Sequence, residues 1–207
     1  MADFEAERHS YDNYVMGKQK RPDLVKSKRS GGLTSFSKSC FEWMQAIISA
    51  VIIVVLILTY AFRMVEVSGS SMEDTLLSED RVVVTSLFYT PQPGDIVVIS
   101  HGEVYDKPII KRVIATEGQS LQIDFNAGKV IVDGVELDEP YIKNPTTNRG
   151  DLEIPSVIPK GKVFVLGDNR AVSQDSRYRV IGLIPVENII GKAQFIVFPF
   201  DRMGKLS

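Results

Sequence analysis

The chain has 207 residues and carries 24 Lys and Arg against 26 Asp and Glu, a formal charge of −2, so it is not a polyelectrolyte. Beyond Cys40 the balance is acidic, 16 basic against 21 acidic residues, which excludes the clustered basic charge of a nucleic-acid footprint. One cysteine leaves no intramolecular disulfide, and one cysteine with two histidines leaves no structural zinc site built from those ligands.

Residues 1–40 read as a disordered tail, rich in Lys, Arg, Ser and Gly and without sustained periodicity, as in Lys26–Gly32 (KSKRSGG). Such a tail is either merely solvated or in contact with lipid head groups. Residues 41–62 then form one dense apolar block containing IISAVIIVVLILTYAF. As a helix rising about 1.5 Å per residue it reaches about 33 Å, matching a hydrocarbon core of about 30 Å. A core helix would keep a polar face, which this block lacks. A cleavable signal peptide would have a shorter leader and small residues at its exit, whereas this block exits through TYAFRMVEV. Lys18, Lys20, Arg21, Lys26, Lys28, Arg29 and Lys38 precede the block and Arg63 alone follows closely. The positive-inside rule therefore predicts a single span with its N-terminus in the cytoplasm and residues 63–207 outside.

Those residues predict an all-β, barrel-like domain. Short runs rich in Val, Ile and Phe fall at 81–85, 96–100, 109–116, 120–124, 129–132, 162–166 and 193–199, separated by Gly, Pro and Asp. Asp133-Gly134 between two alternating runs signals a tight hairpin. Residues 140–160 read as a long surface loop.

Three clusters could carry chemistry. Ser68-Gly69-Ser70-Ser71-Met72 follows the span. A serine in such a turn can expose its hydroxyl beside free backbone N–H groups, although Gly/Ser clusters are more often plain linkers. A nucleophilic serine needs a base. His9 falls on the cytoplasmic side and His101 lies in an exposed-looking SHGEV stretch. Lys111 interrupts the apolar run 108–114, and alternation places it with Ile109 and Val113, opposite Ile110 and Arg112. Burial there would lower its pKa and make a neutral amine accessible, while a lysine reaching to solvent from a strand edge is the bland alternative. The third cluster, Gly167–Arg177 (GDNRAVSQDSR), could pair Asp168 with Arg170 and place Ser173 beside an active centre, or could be only a structural turn.

In order, the span, GSSMEDTL at 69–76, PGDIVV at 93–98, KRVIATEG at 111–118 and GDNRAVSQDSR at 167–177 resemble the bacterial type I signal peptidases, especially the single-span Gram-positive form. The resemblance covers the chain after residue 40 and extends to VDGVELDEPYI at 132–142 and the ending IGKAQFIVFPF. It implies a membrane-anchored serine endopeptidase with a β-barrel-rich domain, Ser71 as nucleophile, Lys111 as general base and Ser173 orienting the lysine. The Ser71 backbone N–H, with the Gly69 region, would form the oxyanion hole, and Met72 would cover the dyad with apolar surface. Asp175 with Arg177 and Asp168 with Arg170 would hold the frame. No cofactor or metal is implied. The implied partners are the lipid bilayer and exported preproteins, bound as an added strand beside 64–70 and the segment entering Lys111, and cut after small residues of Ala-x-Ala type; a monomer is expected. Asp74, Ala115, Glu117 and Gln119 depart from the family pattern, and Gly182 lies two residues farther beyond Arg177 than expected. A signal-peptidase-like module impaired in catalysis and acting in assembly or binding is the first alternative. A soluble Ser-Lys self-cleaving regulator is the second, which the span and the lack of a DNA-binding region oppose.

Overall fold

The computed structural model describes residues 31–87, 89–100 and 107–206. Most of the expected N-terminal tail, with His9, and also His101 therefore lie outside the described residues. By its contacts the chain divides into two units, one ending at Ser49 and one running from Ala50.

Helix α1 spans Gly31–Ala61, so residues 31–40 are helical and not the irregular tail expected of them. No Pro or Gly interrupts the sequence between residues 33 and 61, so nothing stops the helix from running back into the polar flank. Within α1, Ser37–Ile57 is long and apolar enough to cross a membrane, and all its side chains are exposed. The hydroxyls of Ser49 and Thr59 donate to the carbonyls of Ala46 (2.9 Å) and Val55 (2.7 Å), which satisfies them without a polar neighbour.

From Phe62 onward the structure is mainly β. The strands are β1 (Phe62–Glu66), β2 (Arg81–Thr85), β3 (Ile96–Ile99), β4 (Ile109–Ala115), β5 (Leu121–Asp124), β6 (Lys129–Val132), β7 (Val135–Glu136), β8 (Lys162–Leu166), β9 (Ile184–Pro185), β10 (Ile189–Phe198) and β11 (Gly204–Lys205). Eight of them form one antiparallel sheet in the order β1-β2-β10-β3-β4-β8-β9, with β11 added to β10. Long β10 pairs β3 through its first residues and β2 through its last, with register shifts along both pairings. Such irregularities bend a sheet, and this one curls into a half-barrel. The hairpin β5-β6-β7 forms a separate three-stranded sheet, and Asp133 and Gly134 take positive φ (51° and 77°) in its tight turn, as a two-residue hairpin loop requires.

The short strands stay together because the curled sheet buries both faces of its central strands β3, β4 and β8. Ile96 and Val98 of β3 join Val67, Met72, Val82, Ile110 and Ile196 in one apolar cluster, while Val97 and Ile99 join Val113, Val163, Val165 and Ile184 in another. This explains why β3 reads as an unbroken apolar run and not as an alternating one. A third cluster, around Ile114, Leu121, Val130 and Phe164, joins the hairpin sheet to the main one.

Candidate active site

After β1 the chain enters a loop fixed at several points. Val67 exchanges backbone hydrogen bonds with Glu79 and Asp80, and the amide of Leu76 donates to the carbonyl of Met72 (2.8 Å). Met72 and Leu76 are fully buried and pin this loop to the first apolar cluster. Gly69 takes φ +93°, a conformation that favours glycine. Ser71 is held by its own carbonyl, which accepts the backbone N–H of Asn169 (3.0 Å), while the Asn169 side-chain amide donates to the Ser70 carbonyl (3.1 Å). Thr75 donates to Asp168 (2.5 Å), a second tie between the two loops. The Ser71 amide makes no backbone hydrogen bond among the described residues, which leaves it available to an incoming oxyanion.

Lys111 comes from the middle of β4, opposite Val97 on β3. Its Nζ donates to Ser71 Oγ at 2.7 Å, and only 4% of the residue is exposed. Among the described residues Lys111 has no ion-pair partner within bonding distance. Burial pushes its pKa down from 10.5 to about 8, against the more distant fields of Asp175 and Asp168 and with help from Arg177. The same separation suits the reverse bond, in which the serine hydroxyl donates to the lone pair of a neutral amine. A hydroxyl and a dry amine in contact have the chemistry to serve as nucleophile and base.

Three buried arginines frame this pair. Arg177 binds Asp175 through two nitrogens (2.8 and 2.9 Å) and also donates to the carbonyls of Asn148, Arg170 and Ser173. Asp175 in turn accepts the Gly167 amide (3.1 Å). Asp168 and Arg170 do not pair with each other. Asp168 takes Arg112, whose guanidinium also lies 3.8 Å from the Tyr141 ring centroid. Arg170 turns to Glu139 (2.5 Å) and Thr146. Asp168 and Arg170 therefore each take their ion from a distant segment, unlike Asp175 and Arg177 at the same spacing. Sequence reading passed over Arg112, Glu139, Thr75 and Asn169 in this role. Three arginines buried at 0–1% exposure each take a carboxylate, and the loop itself supplies two.

Ser173, expected to orient the lysine, is buried, but its hydroxyl makes no hydrogen bond and is the one buried side-chain polar atom among the described residues without a partner. It occupies the space where a Cβ on Gly167 would lie, 2.2 Å from that position, with the Ser71 carbonyl 2.4 Å from it on the other side. Only glycine fits at 167. Of the departures from the family pattern, Asp74 is exposed and forms an ion pair with Lys143 (3.3 Å), which also holds Glu73 (3.0 Å). Gln119 caps Thr116 and binds Asp133, and Glu117 accepts the Gly161 amide (2.7 Å).

Two clefts open beside the serine. The first, of about 180 Å³, lies between Val65–Gly69 and Lys107–Lys111 and reaches Met72. The second, of about 270 Å³, is bounded by Ser68–Ser71, Ile109 and Lys111 on one side and by Val172, Gln174 and Ile181 on the other.

Residues 40–198 match the family described as signal peptidase, peptidase S26. Over 185 residues the chain is 35% identical to "Signal peptidase I" of Bacillus licheniformis, covering 83% of this chain and 96% of that protein. It is 42% identical over 151 residues to "Probable signal peptidase I-1" of Synechocystis sp. (strain ATCC 27184 / PCC 6803 / Kazusa), covering 68% and 73% of the two chains. The solved structure of a signal peptidase I from Enterococcus faecalis V583 aligns with 50% of this chain and 97% of its own, at 27% identity and a TM-score of 0.42.

Proposed function

The chain belongs to the signal peptidase family, peptidase S26, and is a serine endopeptidase; from that premise we propose that its apolar helix anchors it in a membrane and that it removes N-terminal signal peptides from exported preproteins through a Ser71–Lys111 dyad. The observation that carries this reading is the 2.7 Å contact between Lys111 Nζ and Ser71 Oγ, with the lysine too dry to hold its proton at the usual strength.

In this mechanism neutral Lys111 takes the Ser71 proton as Oγ attacks the carbonyl carbon of the scissile peptide. The oxyanion is met by the Ser71 amide, with the Gly69 backbone beside it. The lysine then gives its proton to the leaving amine, and the peptide C–N bond breaks. A water molecule loses a proton to the lysine and attacks the acyl carbon; the ester bond to Ser71 Oγ breaks, the lysine returns the proton to Oγ, and the signal peptide leaves as a carboxylic acid. Asn169, Thr75 and the Asp168–Arg112 pair keep the serine loop still during these steps, and Met72 excludes water from the dyad.

The signal side of the substrate fits as an added strand. Among the described residues β1 pairs only with β2, and the Ile109–Lys111 part of β4 pairs only with β3, so each segment has one unpaired backbone edge there next to the first cleft. The small volume of that cleft favours small side chains of the Ala-x-Ala type. The basic residues preceding α1 favour a cytoplasmic N-terminus and an extracytoplasmic peptidase in the cell membrane. Because Ser71 lies nine residues past Phe62, an extended connection keeps it within about 30 Å of the end of the span, where a tether raises the effective concentration against membrane-bound substrate. Incubating the protein with a labelled preprotein peptide whose signal ends in Ala-x-Ala tests the reading. Cleavage by wild type and none by Ser71→Ala is expected, and equal cleavage by both overturns it.

A further inference from the structure

We propose that the second cleft receives the first residues of the mature chain, and that Val172 is a specificity-determining contact for them; this rests on the peptidase reading above. Peptide cleavage needs room on both sides of the scissile bond. The first cleft lies between two unpaired strand edges and so suits the extended acyl portion. The second has a strand segment on one side only, Ile109 to Lys111, and faces the polar loop after β8 on the other.

The proton path favours the same assignment. Lys111 must hand its proton to the leaving amine, so that nitrogen has to stand beside Nζ, and the chain attached to it must continue into space that the lysine also borders. The second cleft shares Ser71 and Lys111 with the first and continues from them toward Val172 and Ile181. Val172 is unusual there. It is an apolar residue at 58% exposure within the polar loop GDNRAVSQDSR, whose other members at Asp168, Asn169, Arg170, Ser173 and Asp175 are buried in the frame. Packing in the interior does not explain it, since its side chain faces solvent at the rim of the cleft. With Ile109 and Ile181 it makes an apolar wall without formal charge, which accepts small or apolar residues immediately after the cut.

The test uses full-length protein and peptides that share one Ala-x-Ala signal end and carry Asp, Ala or Lys at each of the first three mature positions. Val172→Glu should lower kcat/KM for Asp-bearing relative to Lys-bearing peptides by about tenfold at one of these positions, and Val172→Lys should reverse the preference. Preferences at the first and third positions before the cut should not change. As a check independent of these variants, a photo-crosslinker at the second mature position, bound to the Ser71→Ala protein, should label residues 172–181. The proposal is overturned if mature-side preference is the same in all three proteins, if the altered preference falls on the signal side, or if the crosslink maps to residues 65–67 or 107–108, which border the first cleft and not the second. Failure of the peptidase reading has a different signature, since wild type would then cut none of the peptides.

Discussion

Arg112 donates from two guanidinium nitrogens to the two carboxylate oxygens of Asp168, at 2.9 and 2.8 Å, with both side chains essentially sealed from solvent. This pair joins β4 to the loop after β8, and through Thr75 it reaches the segment that carries Ser71.

Arg112→Ala should therefore do more than delete a contact. It strands a buried carboxylate, a loss of about 3–5 kcal/mol in folding free energy. Urea unfolding should show it as a lower midpoint. Arg112→Met combined with Asp168→Leu should recover a good part of the loss, because no uncompensated charge remains. Recovery no better than the single variant would mean that the pair acts through something other than its charges.

The rate should follow the titration of Lys111. In the proposed mechanism the neutral amine is the active form, and burial pushes its pKa down to about 8. The kcat/KM for peptide cleavage should climb as pH rises toward that value and level off above it, provided acylation is limiting. A profile flat from about pH 6 to about pH 9 would contradict a lysine base with this pKa.

The same burial has a stability consequence of opposite character. The folded pKa of Lys111 lies below its unfolded value of 10.5, so the unfolded chain binds that proton more tightly. Stability should increase as pH rises from about 8 to about 10.5, and below 8 the whole penalty is present. Lys111→Met should be inactive and yet more stable than wild type at neutral pH, by up to about 3 kcal/mol, with the difference vanishing in strong base. Denaturation curves at several pH values measure this directly.

Ser173→Ala removes a buried hydroxyl that makes no hydrogen bond, so it should not destabilise the fold and should raise stability by about 1 kcal/mol. If the hydroxyl orients Lys111 only while the reaction proceeds, kcat should fall without a matching change in KM. A clear loss of stability would show that Ser173 has a partner in the resting protein.

Gly167→Ala should be among the most damaging conservative changes available. The new methyl would sit 2.4 Å from the Ser71 carbonyl and 2.6 Å from Ser173 Cβ, and backbone cannot step aside as a flexible side chain can. Displacing the nucleophile by a fraction of an ångström to an ångström should cost roughly a hundredfold in kcat. A serine-directed acylating probe would report the change as slowed labelling.

Much of the fold was legible because its strands are short, apolar and bounded by turn residues. Residues 81–85, 129–132 and 162–166 form strands over those same spans, and Asp133-Gly134 makes the expected turn. Strand β1 was hidden because FRMVE directly follows the apolar span, where period-2 alternation cannot be told from the end of a hydrophobic run. The two-residue strands β9 and β11 have no pattern of their own and exist only as additions to longer neighbours. The site was legible as far as its motifs. Two of its ion pairs were not, because Arg112 meets Asp168 across 56 residues and Arg170 meets Glu139 across 31, distances over which local pattern is silent.

Lys111 and Arg112 are neighbours of like charge, and the pleat of β4 sends them to different fates. One side chain finds an anion and remains a fixed structural ion, while the other finds none and becomes willing to lose its proton. Reactivity in this molecule is thus a matter of strand parity. A one-residue slip of β4 against β3, as from a single deletion in the connection before Pro108, would carry Arg112 to the place that Lys111 holds. Such a chain could keep its sheet and its composition, yet hold a guanidinium where the base belongs.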